Sequence, residues 1–413
     1  MTGIKKTAVA MLLLVLLGAV LFSGGCSLFD TESLAAPVEE LDQRLVEATN
    51  SFGFSLYGEL AQAEPDKNML ISPASIITAL AMTYNGADGD TRAAMEKALL
   101  LEGMSREEVN NAFADLLTIL QNPDPEVELA VANSLWGREG LEFNEDFLQR
   151  TAEFFQAEIT SLNFDDPGSA DIINSWVKEQ TRDKIEGIVE PPINPETILF
   201  LINAIYFNGD WSVPFEVENT VELPFNLPDG SVKETPVMFR NSDFRYLETD
   251  HFQAVSLPYG KNERVNMYIF LPAAGSNLDQ FRAGLNSTNW QNWLNRFSMM
   301  EGELGLPRFT FEYETSLNSA LKTLGMEIAF DGEQADFSGM HPVPPNLYIS
   351  EVKHKTFIDV NEEGTEAAAV TSVEVGVTAM PETFTMVVDR PFFFVIADDM
   401  TGTILFMGSV LQP

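Results

Sequence analysis

The 413-residue chain is short of thiols, imidazoles and positive charge. Its single cysteine, Cys26, rules out a disulfide within the chain, so the fold must rest on its apolar core. Three histidines, His251, His341 and His354, leave few candidates for a histidine-dependent hydrolase, and each reads as structural. Lys and Arg number 24 against 62 Asp and Glu, a formal charge of −38. Such a surface repels nucleic-acid phosphates and anionic headgroups, so neither is expected as a partner. The G-x-S-x-G elbow, the G-x-x-x-x-G-K-[ST] phosphate loop and the H-E-x-x-H zinc helix are all missing. No enzyme activity, metal or cofactor is therefore expected. No repeat period or low-complexity block appears, and 45% hydrophobic with 21% charged residues is an ordinary globular balance. One large domain is the expectation.

The longest apolar run, Ala8 to Phe22, lies behind Lys5 and Lys6. It falls short of the roughly 18 residues that span a bilayer and fits an export signal. It runs into Ser23-Gly24-Gly25-Cys26, which resembles the lipobox of prokaryotic lipoproteins, although Ser23 stands where that pattern usually has Leu. The resemblance implies a signal peptide over residues 1–25, lipid attachment at Cys26, a tether over 26–40 and a folded domain over 41–413. The expected location is outside the cell or on its surface, held by lipid, with plain secretion as the other reading. With Cys26 so assigned, no thiol is left for a cysteine nucleophile. Loss of Lys5 and Lys6 with the signal takes the charge from −38 to −40.

The first third of the domain reads as helical. Leu41, Leu45, Ala48, Phe52 and Leu56 recur at helical spacing, and Ser105-x-x-Glu108 is a capping box before Val109, Phe113, Leu116 and Leu117. Ser72-Pro73 opens a run that Gly86 can end, Asp90 can cap a helix starting at Thr91, and Asn144 precedes a helical stretch to Glu158. The remainder is richer in strands. Thr197 to Phe207, broken only by Asn203, suits a central strand covered on both faces. Met267–Leu271, Phe309–Tyr313, Phe384–Val388, Phe392–Ala397 and Ile404–Met407 are further short strands. Early helices with late strands predict an α+β domain.

Glu362 to Val377, EEGTEAAAVTSVEVGV, carries the strongest signal. Taken as a strand, its one face is Thr365, Ala367, Ala369, Thr371, Val373, Val375 and Val377, all uncharged, and Glu366 and Glu374 fall on the other. The small residues nearest Gly364 could enter an existing sheet without forcing bulk into a packed core. A helix around the alanines, or an ordinary long edge strand, remains open on local composition.

The segment and its surroundings resemble the serpins over about Leu41 to Pro413. The hinge Glu362-x-Gly364-Thr365-Glu366-Ala367-Ala368-Ala369 and the C-terminal MVVDRPFFFVI at Met386 to Ile396 carry the resemblance. So do NMLISPASI from Asn68, GADGDT from Gly86, LINAIYFNGDW from Leu201 and LPRF from Leu306. The resemblance implies three β-sheets, eight or nine helices and an exposed reactive-centre loop that baits a serine or cysteine protease. It also implies a monomer whose protease partner is trapped covalently as the loop, residues 365–377, inserts into the main sheet. Cleavage is expected at Thr378–Ala379. About a dozen new backbone pairings at roughly 0.5–1.5 kcal/mol each would release on the order of 10 kcal/mol, so the native fold would be metastable. Ser72, Ser75, Asn203 and His354 match the family's shutter, Trp211 matches the point where the loop enters, and Arg308 with Glu362 matches an ion pair at the top of the sheet. Read blandly, that pair is a surface contact worth at most about 1 kcal/mol. No Lys or Arg lies between Gly364 and Asp389, so a trypsin-like pocket has nothing to bind, and elastase-like or subtilisin-like targets are expected. The alternative is a non-inhibitory serpin acting as a surface binding or carrier protein.

Overall fold

The computed structural model describes residues 41–121, 123–365 and 383–413, which fall within one compact unit. Cys26, Glu366, Ala367, Ala368, Ala369, Thr378 and Ala379 lie outside the described residues. The chain opens with α1 (Gln43–Ala63), β1 (Met69–Ile71), α2 (Pro73–Tyr84), α3 (Gly89–Ala98) and α4 (Arg106–Leu120). Next come β2 (Val127–Arg138), α5 (Glu145–Phe155), β3 (Glu158–Leu162) and α6 (Ser169–Gln180). A strand-rich part follows: β4 (Leu199–Asp210), β5 (Val221–Asn226), β6 (Val232–Glu248), β7 (Phe252–Tyr259) and β8 (Val265–Pro272). After α7 (Leu278–Arg282) and α8 (Ser287–Leu294) come β9 (Ser298–Pro307), β10 (Phe309–Ser316) and α9 (Asn318–Leu321). The chain closes with β11 (Glu351–Val360), β12 (Gly364–Thr365), β13 (Phe384–Val387), β14 (Phe392–Asp398) and β15 (Thr403–Val410). The domain is α+β, with nine α-helices among the described residues.

Local chemistry accounts for the helix starts. Ser105 Oγ accepts from Glu108 N at 3.2 Å while Glu108 Oε2 accepts from Ser105 N at 2.7 Å, completing the capping box of α4. Ser72 caps α2 with Pro73 at its first position. Two expected boundaries move. Asp88, not Asp90, is the cap residue of α3, which places Asp90 in the first turn, where a carboxylate faces the positive end of the helix dipole. The helix expected to reach Glu158 stops at Phe155, because Gln156 turns left-handed (φ 50°) and Glu158 begins β3.

Two hydrogen-bonded sheets result. The smaller runs β10-β11-β4-β2-β3, with β12 beside β4, and the larger runs β1-β15-β14-β8-β7-β6-β9-β13, with β5 beside β6. The three sheets expected from the resemblance appear as two connected sets because β6 is 17 residues long, pairing with β5 at its start and with β7 at its end. The β4–β11 pair is parallel, from Glu351 opposite Phe200 to Phe357 opposite Tyr206.

β4 is buried on both faces, which explains its near-continuous apolar run. Leu199, Leu201, Ile205 and Phe207 enter the large core with α2, whereas Phe200, Ile202 and Ala204 join a second cluster with Ile173 and Val177 of α6. The seam between β4 and β11 is thus covered on both sides.

Candidate functional site

The alternation of β4 that buries Leu201 and Ile205 also turns Asn203 toward α2. Asn203 stands opposite Asn133 of β2 on one side and His354 of β11 on the other, so three polar side chains line up across the sheet. All three are buried, as are Ser72 and Ser75. Asn203 Nδ2 donates to Ser75 Oγ and, at 2.5 Å, to Asn133 Oδ1. Its Oδ1 is left as an acceptor 2.6 Å from His354 Nδ1, which therefore carries the proton. His354 Nε2 then accepts from Ser72 N at 3.2 Å. Burial pushes the His354 pKa down to about 3, so the ring is neutral and both nitrogens are used. This network bridges the β4–β11 seam and fastens it to the cap of α2.

A second cluster closes one end of that seam. Beyond β11 the chain turns and β12 pairs antiparallel with β4, Gly364 opposite Asp210 and Thr365 opposite Gly209. Gly364 is required here: its φ is +152°, and a Cβ would stand 2.2 Å from Gly209 O. Thr365 is 1% exposed, and its hydroxyl lies 2.9 Å from the Tyr259 hydroxyl. Tyr259 stacks on Trp211, with ring centroids 4.3 Å apart. Trp211 in turn donates from Nε1 to Asn361 O at 3.0 Å and from its backbone to Glu363 O at 2.9 Å.

The ion pair at this end is not the surface contact that the bland reading describes. Glu362 is 4% exposed. Its Oε1 accepts from Arg308 Nε at 2.8 Å, from Arg308 Nη2 and from the Thr220 hydroxyl. Burial pushes the Glu362 carboxyl up, but the Arg308 guanidinium and the Thr220 hydroxyl outweigh it and hold it below the ordinary value. The carboxylate stays charged, and Arg308, at 41% side-chain exposure, keeps a wet flank.

A family model for serpins (serine protease inhibitors) matches residues 47–413. The chain belongs to the serpin family. It is 32% identical to serpin B11 of Homo sapiens over 89% of this chain and 98% of that protein. An uncharacterized serpin-like protein of Thermococcus kodakarensis is 38% identical over 91% of this chain and 87% of its own length. Among solved structures, the thermophilic serpin tengpin in its native state matches with a TM-score of 0.83 and 34% identity, covering 90% of this chain and 95% of that one. Human thyroxine-binding globulin, solved with its thyroid hormone, matches with a TM-score of 0.82 and 27% identity, covering 90% and 99%. Serpins are typically protease inhibitors rather than enzymes, and the family implies a protease as partner.

The structure brings Ser72, Ser75, Asn203 and His354 into one network and Trp211, Arg308, Glu362, Gly364 and Thr365 into another. Sequence reasoning missed Asn133, Tyr259 and Thr220. Of these, Asn133 had a signal, a lone amide in an apolar strand like that of Asn203. His341 is buried away from both networks, with Nδ1 2.7 Å from Glu142 O, and His251 is exposed.

Proposed function

We propose that this serpin is an irreversible suicide-substrate inhibitor of serine endopeptidases, with cysteine endopeptidases as a second class. The observation that carries the proposal is the register of β12 on β4. Each step forward from Gly364 is one step back from Asp210, so continuing the pairing in an inserted state sets Ala367 opposite Phe207, Ala369 opposite Ile205, Thr371 opposite Asn203 and Val373 opposite Leu201. Cross-strand partners share a face. The uncharged face of the segment would therefore meet the large core, with the Thr371 hydroxyl at the polar row, while Glu366 would fall opposite half-buried Asn208 and Glu374 opposite Phe200 at the edge of the second cluster. A charge on the inward face would have to be buried unpaired, and this segment has none there.

The proposed sequence of events is attack at Thr378–Ala379, formation of the acyl-enzyme, and insertion of residues 365–377 between β4 and β11, which drags the protease along and deforms its active site. The absence of Lys and Arg from Gly364 to Asp389 favours elastase-like or subtilisin-like targets. We propose export, with Cys26 as the lipid anchor to a cell surface. Likeness to thyroxine-binding globulin supports a second reading, a non-inhibitory carrier. One experiment separates the two: mixed with an elastase-type serine protease, the inhibitor forms a covalent complex that survives boiling in detergent. Clean cleavage without a complex, across several serine and cysteine proteases, sinks the inhibitor reading.

A further inference from the structure

Asp124 lies in the connection between α4 and β2, buried to 5% exposure, with no part in either network. Its carboxylate accepts three backbone N–H groups. Oδ1 takes Glu126 N at 2.9 Å and Lys261 N at 3.3 Å, and Oδ2 takes Asn262 N at 2.7 Å. Two of these donors belong to the turn between β7 and β8. The turn approaches so closely that a Cβ on Gly260 would stand 2.3 Å from Asp124 Oδ1, and Gly260 is itself at φ +67°. The same turn is tied to the end of β4, since Gly260 N donates to Asp210 O at 2.8 Å and Ser212 N donates to Pro258 O at 2.9 Å.

Tyr259 is the residue just before this turn, and its hydroxyl is the partner of Thr365. We infer that Asp124 is a positioning residue for the hinge: by clamping the 260–262 turn against the end of β4, it holds Tyr259 where its ring stacks on Trp211 and its hydroxyl seats Thr365 on Gly209. Carboxylate oxygens suit this task because they only accept, and the turn points two N–H donors, of Lys261 and Asn262, toward Asp124. The kinetic consequence rests on the inhibitor reading above, since a pre-seated Thr365 would begin insertion already in register. The structural consequence does not.

Asp124→Asn replaces one acceptor oxygen with an amide donor facing N–H groups. In the free protein, hydrogen exchange at the Trp211 and Phe215 amides, which bond Glu363 O and Glu362 O, should quicken at least about 10-fold, while amides of the β4–β11 seam keep their protection. Tyr259→Phe should quicken the same hinge amides. With Tyr259→Phe already present, Asp124→Asn should add less than about 2-fold, because both act through one contact. Unchanged hinge exchange in Asp124→Asn, or effects that multiply in the double variant, overturns the inference. Should Asp124→Asn fail to fold, Gly260→Ala presses the same contact apart and carries the same expectation. With an elastase-type protease, Asp124→Asn should be cut with fewer covalent complexes formed per cleavage than the unaltered protein. If the unaltered protein forms no complex, the inhibitor reading fails, and hinge exchange still decides the role of Asp124.

Discussion

His354 Nδ1 and Asn203 Oδ1 meet at 2.6 Å across the parallel pair β4–β11, the pair that the proposed insertion would part. The bond joins two fully buried side chains. Breaking it without replacement leaves a donor and an acceptor unmet in a dry interior, at about 1–3 kcal/mol each. Thr371, opposite Asn203 in the proposed register, could satisfy part of that loss after insertion but not before.

Acid should therefore weaken the closed sheet. The folded His354 pKa, about 3, lies below the ordinary imidazole value of 6.5, so the unfolded chain binds more protons between those limits. Stability contributed by the neutral ring is complete above pH 6.5 and is lost as pH falls toward 3. Glu362, held below its ordinary 4.5, adds a loss only at lower pH. Between pH 6.5 and 5, urea midpoints should fall, with a slope of up to roughly 1.4 kcal/mol per pH unit, and His354→Gln should flatten that window. An unchanged slope in His354→Gln would assign the sensitivity elsewhere.

At the sheet's end, the two halves of the ion pair should not be equivalent. Arg308→Ala leaves the buried Glu362 carboxylate without its cation, whereas Glu362→Gln keeps the shape and leaves a half-exposed guanidinium in water. Expected losses are about 2–3 kcal/mol for Arg308→Ala and about 1–2 kcal/mol for Glu362→Gln, read from urea unfolding. Equal small losses would return the pair to surface status.

Gly364→Ala places a methyl group against Gly209 O. The hinge should lift off β4 while the rest of the domain stays folded. Hydrogen exchange at the Trp211 amide should quicken while the melting temperature changes by only a few degrees. A large drop in melting temperature would mean that the hinge is integral to the native core.

Thr365→Arg would bury a guanidinium where the threonine is 1% exposed. The variant should still be cut by the protease yet yield cleaved chain in place of covalent complex, seen on denaturing gels. Undiminished complex formation would exclude the proposed entry of this residue.

The strand β4 and the capping box of α4 were legible because each is a local pattern, a run buried on both faces and a four-residue cap, whereas the hinge Gly364 came from the family resemblance and its lack of room for a Cβ shows only in the fold. β2 was not legible, since its residues fall within a stretch whose helical periodicity dominates the reading. The partners Asn133 and Tyr259 escaped for a different reason. Asn203 reaches Asn133 across 70 residues of chain, and Thr365 reaches Tyr259 across 106, distances at which no spacing rule operates. The burial of Glu362 likewise depends on β6 and β9 delivering Arg308 and on the turn before β5 delivering Thr220.

Insertion in a defined register is the central claim, and Cys26 as the only natural thiol makes it directly measurable. In a Cys26→Ser background, Ala204→Cys and Val370→Cys would stand opposite each other only after insertion. Two free thiols are expected in the intact chain, and a disulfide between positions 204 and 370 once the loop is cut. Thiols that stay free under oxidation after cleavage, or a disulfide already formed in the intact chain, would contradict it.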